Sequence, residues 1–183
     1  MGHLSGLVLA GGRGERFGGP KALAVSDDGL PWLTRVCGTL AEVVDDVIAV
    51  IPAGLSEARA LAPAGVRVVD APVESTGLSD SLRAGIQRLD DRTRAVVITT
   101  VDLPLLPVEA VRRVVGSAHG ASVLRRAVYD GRPGHPVLIG REHWPALIAS
   151  LGGDTGAGRY LRAHGAETVE CGDLFDGQDT DTR

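Results

Sequence analysis

Short apolar runs alternate with amphipathic stretches along most of the chain. The runs have the length of buried strands, and the first two stop at glycine or proline, which interrupt regular structure. The amphipathic stretches repeat their apolar positions every three to four residues, as Leu33, Val36 and Leu40 do, which indicates helices. Strands are predicted at residues 4–10, 47–51, 66–69, 95–100, 121–124, 136–139 and 167–170. Helices are predicted at residues 31–44, 55–61, 79–89, 107–115, 144–151 and 156–163.

This alternation predicts an α/β fold with three layers, in which helices cover both faces of a Rossmann-like, mostly parallel sheet. No repeat, low-complexity linker or change in composition interrupts it, so residues 1–183 are expected to form a single domain. In such sheets ligands bind beyond the carboxyl ends of the strands. The segments after Ala10 and after Thr100 are therefore the places where a site is expected.

Composition narrows the class of protein. The 183 residues carry a formal net charge of −4, which argues against a nucleic-acid partner but leaves room for a local phosphate site. Cys37 and Cys171 stand far apart with no CxxC pair, which favours a reducing compartment over a disulfide framework or a zinc site. No apolar run reaches the ~18 residues of a membrane span, and no charged leader precedes the first strand. The expected location is cytoplasmic, without a membrane partner.

The segment from Leu9 to Lys21 has the composition of an anion-binding loop. Five of the nine residues from 11 to 19 are glycine, so the backbone can turn tightly and present its N–H groups to phosphate. Arg16 and Lys21 add positive charge. Of the 19 basic residues, 18 are arginine, and Lys21 is the one lysine, a flexible point charge that suits phosphate oxygens. A purely structural glycine-rich turn is the alternative.

Two well-known phosphate loops do not fit this segment. A P-loop requires Gly-Lys-Ser/Thr, whereas Pro20 precedes Lys21 and Ala22 follows it. The dinucleotide fingerprint requires a glycine where Phe17 stands, and an acid at the end of the second strand, where the chain has Pro52.

The pattern Leu-Ala-Gly-Gly-x-Gly-x-Arg-Phe-Gly-Gly-Pro-Lys resembles the signature of the NTP-transferase family of molybdenum-cofactor cytidylyl- and guanylyltransferases. Residues 76–85, Thr-Gly-Leu-Ser-Asp-Ser-Leu-Arg-Ala-Gly, resemble its second nucleotide-binding element. Residues 102–104, Asp-Leu-Pro, resemble its metal site. Residues 134–137 and 153–157 look like its acceptor-side loops, and residues 179–182 look like its terminal Asp-x-Asp-Thr.

The resemblance implies a fold like that of the nucleotide-diphospho-sugar transferases, and a reaction in which NMP passes from an NTP to a phosphorylated acceptor with release of pyrophosphate. It implies Mg²⁺ held by Asp102 and Asp181, catalytic roles for Arg16, Lys21 and Asp102, and acceptor contacts by His135 and Asp154. The implied nucleotide-binding residues are Leu9, Ala10, Gly11, Gly12, Gly14, Arg16, Lys21, Gly77, Ser79, Ser81 and Gly85. The acceptor implied is molybdopterin, and a molybdoenzyme or its chaperone is the implied protein partner. CTP is favoured, because residues 79–85 look more like the cytidylyl members.

Each of these residues also has a simpler interpretation. Ser79 and Asp154 suit helix N-caps, and Asp102 suits a turn before proline. His135 suits an exposed loop, and Asp181 a solvated acidic tail. Two other functions stay open: an NAD(P)H-dependent oxidoreductase of the nicotine-blue reductase type, and a nucleotide-binding regulator without catalysis.

Overall fold

The computed structural model describes residues 2–12, 14, 17–74, 77–117, 120–153 and 155–180. Its strands are β1 (His3–Leu9), β2 (Asp46–Ile51), β3 (Arg67–Asp70), β4 (Thr93–Thr100), β5 (Leu124–Tyr129), β6 (Arg132–Gly140) and β7 (Glu167–Glu170). Its α-helices are α1 (Trp32–Ala41), α2 (Ser56–Leu61), α3 (Leu78–Ile86), α4 (Val108–Val115), α5 (Trp144–Ser150) and α6 (Gly158–Ala163). Two short 3₁₀ turns, Lys21–Leu23 and Arg141–His143, complete the regular structure of the described residues.

The strands form one sheet in the order β3-β2-β1-β4-β6-β5-β7. β6 runs antiparallel to both of its neighbours, β4 and β5, while the remaining strands run parallel to one another. The expected mostly parallel α/β sheet is confirmed. At its centre Leu9 lies level with Val50 on one side and Thr100 on the other, so the carboxyl ends of β1, β2 and β4 meet at one edge.

Apolar residues cover both faces of this sheet, as the continuous runs in β1, β2 and β4 predict. One face packs on α1, α2 and α4, with a core that includes Leu33, Leu40, Ala58, Val111 and Val114. The other face packs on α3, α5 and α6, with a core that includes Leu82, Ile86, Trp144, Leu147 and Leu161. The three-layer arrangement is therefore present. Among the described residues, no helix is long and apolar enough to cross a membrane.

The opposite edge of the sheet, where β1 and β2 begin, is closed by a polar cluster. The carboxylate of Asp46 accepts hydrogen bonds from Ser5 Oγ at 2.5 Å and from Arg67 at 2.8 Å, and it contacts His3 Nε2 at 2.9 Å. Burial raises the pKa of Asp46, but these hydrogen bonds outweigh it and hold the pKa below its ordinary value. The cluster is a stabilising feature away from the expected site.

The fifth strand differs from its prediction. It was expected at 121–124, but it occupies Leu124–Tyr129, because two arginines interrupt the apolar pattern without interrupting the strand. Arg125 donates to Glu167 of β7 at 2.8 Å, so its charge is paired beside the ladder. Asp130 and Gly131 follow with positive φ angles of 51° and 75°, which suits a two-residue hairpin turn into β6.

Candidate functional site

The carboxyl ends of β1 and β4 bring together the two segments that the sequence singled out. Val101 donates its backbone N–H to Leu9 at 3.1 Å, and Ala10 donates to Val50 of β2 at 2.8 Å. The glycine-rich loop therefore leaves the sheet directly beside the Asp-Leu-Pro segment that follows β4. This adjacency is the structural basis of the candidate site.

Tight backbone turns shape the glycine-rich loop. The carbonyl of Gly14 accepts hydrogen bonds from the N–H groups of Phe17 at 2.9 Å and Gly19 at 3.1 Å. Gly14 has a φ of +63°, and a Cβ there would lie 1.8 Å from the carbonyl oxygen of Gly19. A side chain at this position is therefore excluded both by conformation and by space. Arg16, the predicted catalytic arginine of the loop, lies outside the described residues.

A second close approach joins the loop to α3. A Cβ on Gly11 would lie 2.2 Å from Ser81 Oγ, so the backbone after β1 lies against the side chain of a buried serine. The two predicted nucleotide-binding elements thus touch each other at Gly11 and Ser81. Gly12 has no neighbour within 4 Å of such a position and faces open space.

The ion pair between Lys21 and Asp102 lies at the centre of the site. Lys21 begins the 3₁₀ turn after the loop, and its Nζ donates to Asp102 Oδ2 at 3.0 Å. The two side chains are only 17% and 20% exposed, so the pair is largely shielded from water. The structure therefore brings together two of the three predicted catalytic residues, which are 81 positions apart in the sequence.

The second carboxylate oxygen of Asp102 is the atom that fits a metal ion. Oδ1 is buried and has no hydrogen-bond partner, which is costly for a carboxylate unless a ligand completes it. No group of three or more His, Cys, Asp or Glu side chains suited to a metal occurs in the described part of the chain. One carboxylate suffices for Mg²⁺ when phosphate oxygens supply further ligands. Asp181, the other predicted ligand, lies outside the described residues.

The predicted nucleotide-binding residues of α3 make contacts within the protein. Ser79, expected as an N-cap in the simpler interpretation, lies inside the helix, and Gly77 is the N-cap. Ser79 Oγ lies 2.6 Å from the carbonyl of Gly153 and 2.7 Å from that of Thr155, so it tethers the predicted acceptor-side loop. Gly85 packs against the sheet, where a Cβ would lie 2.5 Å from Leu7. Nucleotide contacts by these residues stay predictions. Asp154, in the tethered loop, lies outside the described residues.

His135 lies in the first half of β6, beside the last residues of β4. Its Nδ1 is 3.3 Å from the carbonyl oxygen of Ile98, and Tyr129 Oη donates to its backbone carbonyl at 2.5 Å. Burial lowers the pKa of His135, while the Ile98 carbonyl and the negative charge of Asp102 act in the opposite direction. The net lowering favours a neutral imidazole at pH 7. His135 is therefore a partly buried group facing the site rather than an exposed loop residue.

The segment after β7 returns to the same edge. Thr180 donates its backbone N–H to the carbonyl of Asp102 at 2.9 Å. Between this segment and the β5–β6 hairpin lies an open groove of about 490 Å³, lined by Tyr129, Arg132, Pro133 and residues 176–179. The groove is lined by residues 176–179, which directly precede Thr180. The family resemblance had singled out only residues 179–182 of this segment.

Sequence reasoning missed Tyr129 and Arg126 of β5. The expected strand stopped at residue 124, so neither side chain was assigned to a face of the sheet. The Asp130-Gly131 turn signal, which marks a hairpin, was available in the sequence and places both residues on a strand.

The MobA-like NTP transferase domain family matches residues 6–169. The chain belongs to this family. The NTP transferase assignment agrees with the loop and with the Lys21–Asp102 pair, and it makes the chain a nucleotidyltransferase.

Two relatives of this NTP transferase domain carry different names. The chain is 30% identical to the nicotine blue oxidoreductase of Paenarthrobacter nicotinovorans, in a match that covers 98% of the chain and 92% of that protein. It is 31% identical to the molybdenum cofactor guanylyltransferase of Rhodobacter capsulatus, over 80% of the chain and 68% of that protein.

Among solved structures, Rv0371c from Mycobacterium tuberculosis H37Rv superimposes with a TM-score of 0.81 at 26% identity, over 99% of this chain and 94% of that one. A structure of the same protein in complex with manganese gives a TM-score of 0.72 at 25% identity, over 93% of this chain and 87% of that one.

Proposed function

We propose that this nucleotidyltransferase moves the NMP group of an NTP to a phosphorylated acceptor of the molybdopterin type, using Mg²⁺ and releasing pyrophosphate. The observation that carries the proposal is the contact between Lys21 and Asp102 at the carboxyl edge of β1 and β4. The proposal is supported because an ammonium, which suits phosphate oxygens, lies 3.0 Å from a carboxylate, which suits a metal ion, beside a loop rich in backbone N–H donors.

The reaction requires positioning and charge neutralisation rather than a protein nucleophile. A divalent cation held by Asp102 would neutralise charge on the phosphate oxygens around the α-phosphorus. Lys21 and the N–H groups of the glycine-rich loop then hold the β- and γ-phosphates, which leave as pyrophosphate. Lys21 has to turn from Asp102 toward the phosphates for both roles to be filled. The manganese complex of Rv0371c supports a divalent cation, and Mg²⁺ is the one we propose.

We expect GTP as the donor nucleotide. CTP was predicted from residues 79–85, but the hydroxyl of Ser79 is directed at two loop carbonyls and Ser81 is buried against Gly11. Neither serine is placed to recognise a cytosine edge. The relative from Rhodobacter capsulatus is named a guanylyltransferase, which also favours GTP. Thermal-shift measurements with GTP and with CTP, each with Mg²⁺, test this expectation. Stronger stabilisation of the protein by CTP would favour CTP as the donor nucleotide.

Asp102→Asn tests the reaction itself. Asn keeps the shape of the side chain and removes the charge, so the fold should survive while Mg²⁺-dependent pyrophosphate release is lost. The matched control is Asp91→Asn, which removes an exposed ion pair with Arg141 at 3.1 Å, before β4 and away from the site. A folded Asp102→Asn variant with the wild-type rate and Mg²⁺ dependence would contradict the proposal. NTP binding without pyrophosphate release in the presence of any phosphorylated acceptor would instead support the silent regulator.

A second candidate function is NAD(P)H-dependent reduction, favoured by the name of the relative from Paenarthrobacter nicotinovorans. The loop geometry argues against it. Phe17, at the third glycine position of a dinucleotide fingerprint, is buried and packs on the ring of Trp32 with centroids 5.3 Å apart. Stabilisation by NADPH without Mg²⁺, together with NADPH oxidation by a dye acceptor, would favour the reductase over the transferase.

A further inference from the structure

Arg126 is a cation that forms no ion pair with any described residue. It lies on β5, level with Val137 of β6 and Thr168 of β7. Its side chain is only partly exposed, and its Nε is buried with no hydrogen-bond partner. The described residues provide no ion pair to it either. Buried arginine nitrogens are normally bonded, so an unbonded one requires an explanation.

A second arginine, Arg162, adds an unfavourable charge repulsion to the incomplete hydrogen bonding of Arg126. Helix α6 packs on β5, and Arg162 is an exposed residue in its last turn. Burial lowers the pKa of Arg126, and the positive charge of Arg162 lowers it further. Arginine nevertheless stays charged at neutral pH. Two like charges are thus held near each other, and Arg126 has no ion pair within the described residues, which favours binding of an anion.

Arg126 also lies near the reaction centre. Arg126 is level with Val137 of β6, and Val137 is level with Ile98 of β4, whose carbonyl oxygen lies 3.3 Å from His135 Nδ1. The positive charge of Arg126 lowers the pKa of His135, and the negative charge of Asp102 raises it. His135 is therefore close to both Asp102 and Arg126.

We propose that Arg126 and Arg162 form an anion site that holds the phosphate of the acceptor. The identity of that anion rests on the proposed function. Two guanidinium N–H groups match two phosphate oxygens and leave the third free to attack. That oxygen forms a bond to the α-phosphorus of the NTP. The bond from the α-phosphorus to the bridging oxygen breaks, and the oxygen keeps the electron pair as pyrophosphate leaves.

Inorganic phosphate is the probe, measured by calorimetry on the full chain. The Lys21→Met background removes the ammonium of the glycine-rich loop, so that phosphate binding there does not mask the second site. Adding Arg126→Met to this background should weaken phosphate binding about ten-fold or more, the effect of losing one charge-assisted contact. Arg94→Met, an exposed arginine at the opposite edge of the sheet, should leave the affinity unchanged.

Thermal unfolding separates a binding role from a structural one. Because Arg126 has an unbonded buried nitrogen and a like-charged neighbour, Arg126→Met should unfold no lower than the wild type. A lower midpoint would show that Arg126 supports the fold and would overturn the proposal. Arg162→Met, an exposed change, should also weaken phosphate binding. Unchanged affinity in either arginine variant would overturn the paired site.

Failure of the proposed function gives a different result. In that case NTP and Mg²⁺ would not stabilise the wild-type chain, whereas the phosphate titrations would still depend on Arg126. Stabilisation by NTP with no effect of Arg126→Met on phosphate binding would overturn this inference alone.

Discussion

Replacing Lys21 with methionine separates the two partners of the central ion pair. Met keeps most of the apolar stem and removes the ammonium that neutralises Asp102. At 3.0 Å and an effective dielectric constant near 20, the Coulomb attraction is about 5.5 kcal/mol before desolvation is counted. Desolvation offsets most of it, and the net worth of a hydrogen bond between charged groups is about 1.5–3 kcal/mol.

Three consequences should follow, and they differ in sign. The free energy of unfolding should fall by about 1.5–3 kcal/mol, because Asp102 loses the hydrogen bond to its one partnered oxygen. GTP affinity should fall by about ten-fold or more, since a phosphate contact is lost. Mn²⁺ affinity without nucleotide should rise by a similar factor, because the cation no longer competes with the ammonium for the carboxylate.

Calorimetric titrations of Mn²⁺ and of GTP into the same preparation test whether the two affinities change in opposite directions. Urea unfolding measures the change in stability. Arg92→Met, which breaks the exposed pair with Asp90 at 3.3 Å, serves as the control and should change none of the three. General damage to the site would weaken both ligands together. Unchanged or weaker Mn²⁺ binding in Lys21→Met would refute the idea that lysine and metal share Asp102.

Three further predictions concern other parts of the molecule. Gly11→Ala should lower the free energy of unfolding by about 1–3 kcal/mol and weaken nucleotide binding, because its Cβ would lie 2.2 Å from Ser81 Oγ. Gly12→Ala, whose Cβ would have no neighbour within 4 Å, should change neither property. Equal urea midpoints for the two alanine variants would contradict the close approach of Gly11 to Ser81. The pKa of Asp46 is depressed in the fold, so its contribution to stability is present above pH 3.8 and is lost as the pH falls through the lower folded value. Asp46→Asn should therefore lower the free energy of unfolding by about 1 kcal/mol at pH 7 and make that free energy depend less on pH in acid. An unchanged pH dependence would show that Asp46 does not contribute to stability in this way. Burial raises the pKa of Cys37 to about 12, so a disulfide reagent at pH 8 should label it only after unfolding, and rapid labelling of the folded protein would contradict its burial.

The sheet could be predicted because its strands carry the signal within themselves. The runs that became β1, β2 and β4 are apolar on both faces, a pattern that few structures other than a covered parallel sheet accommodate. β5 carried a weaker signal. Its charges are paired outside the strand, as with Arg125 and Glu167, or not paired at all, as with Arg126 in the described residues. The hydrophobicity pattern of β5 alone cannot show whether a charged residue on the strand is paired with another element or unpaired.

Some parts of the candidate site could be predicted from the sequence and others could not. The glycine-rich loop and Asp102 were recognisable because a phosphate or a metal demands particular residue types at the ends of particular strands. The contact between Lys21 and Asp102 could not be predicted. It depends on β1 and β4 lying side by side and on the 3₁₀ turn that begins at Lys21. Ser79 shows the opposite case. Its residue type suggested a ligand contact, whereas its neighbours in space direct the hydroxyl at a loop.

The central place of β1 has a consequence for how the chain folds during synthesis. β1 leaves the ribosome first, yet it pairs on one side with β4, which begins at Thr93. β2 arrives earlier and covers the other side. For roughly ninety residues of elongation, one edge of a strand that is almost wholly buried in the fold has no partner. An open edge of this kind invites pairing with other chains. Slow translation between β2 and β4 should therefore favour aggregation, and chaperone capture of nascent chains should be greatest in that interval.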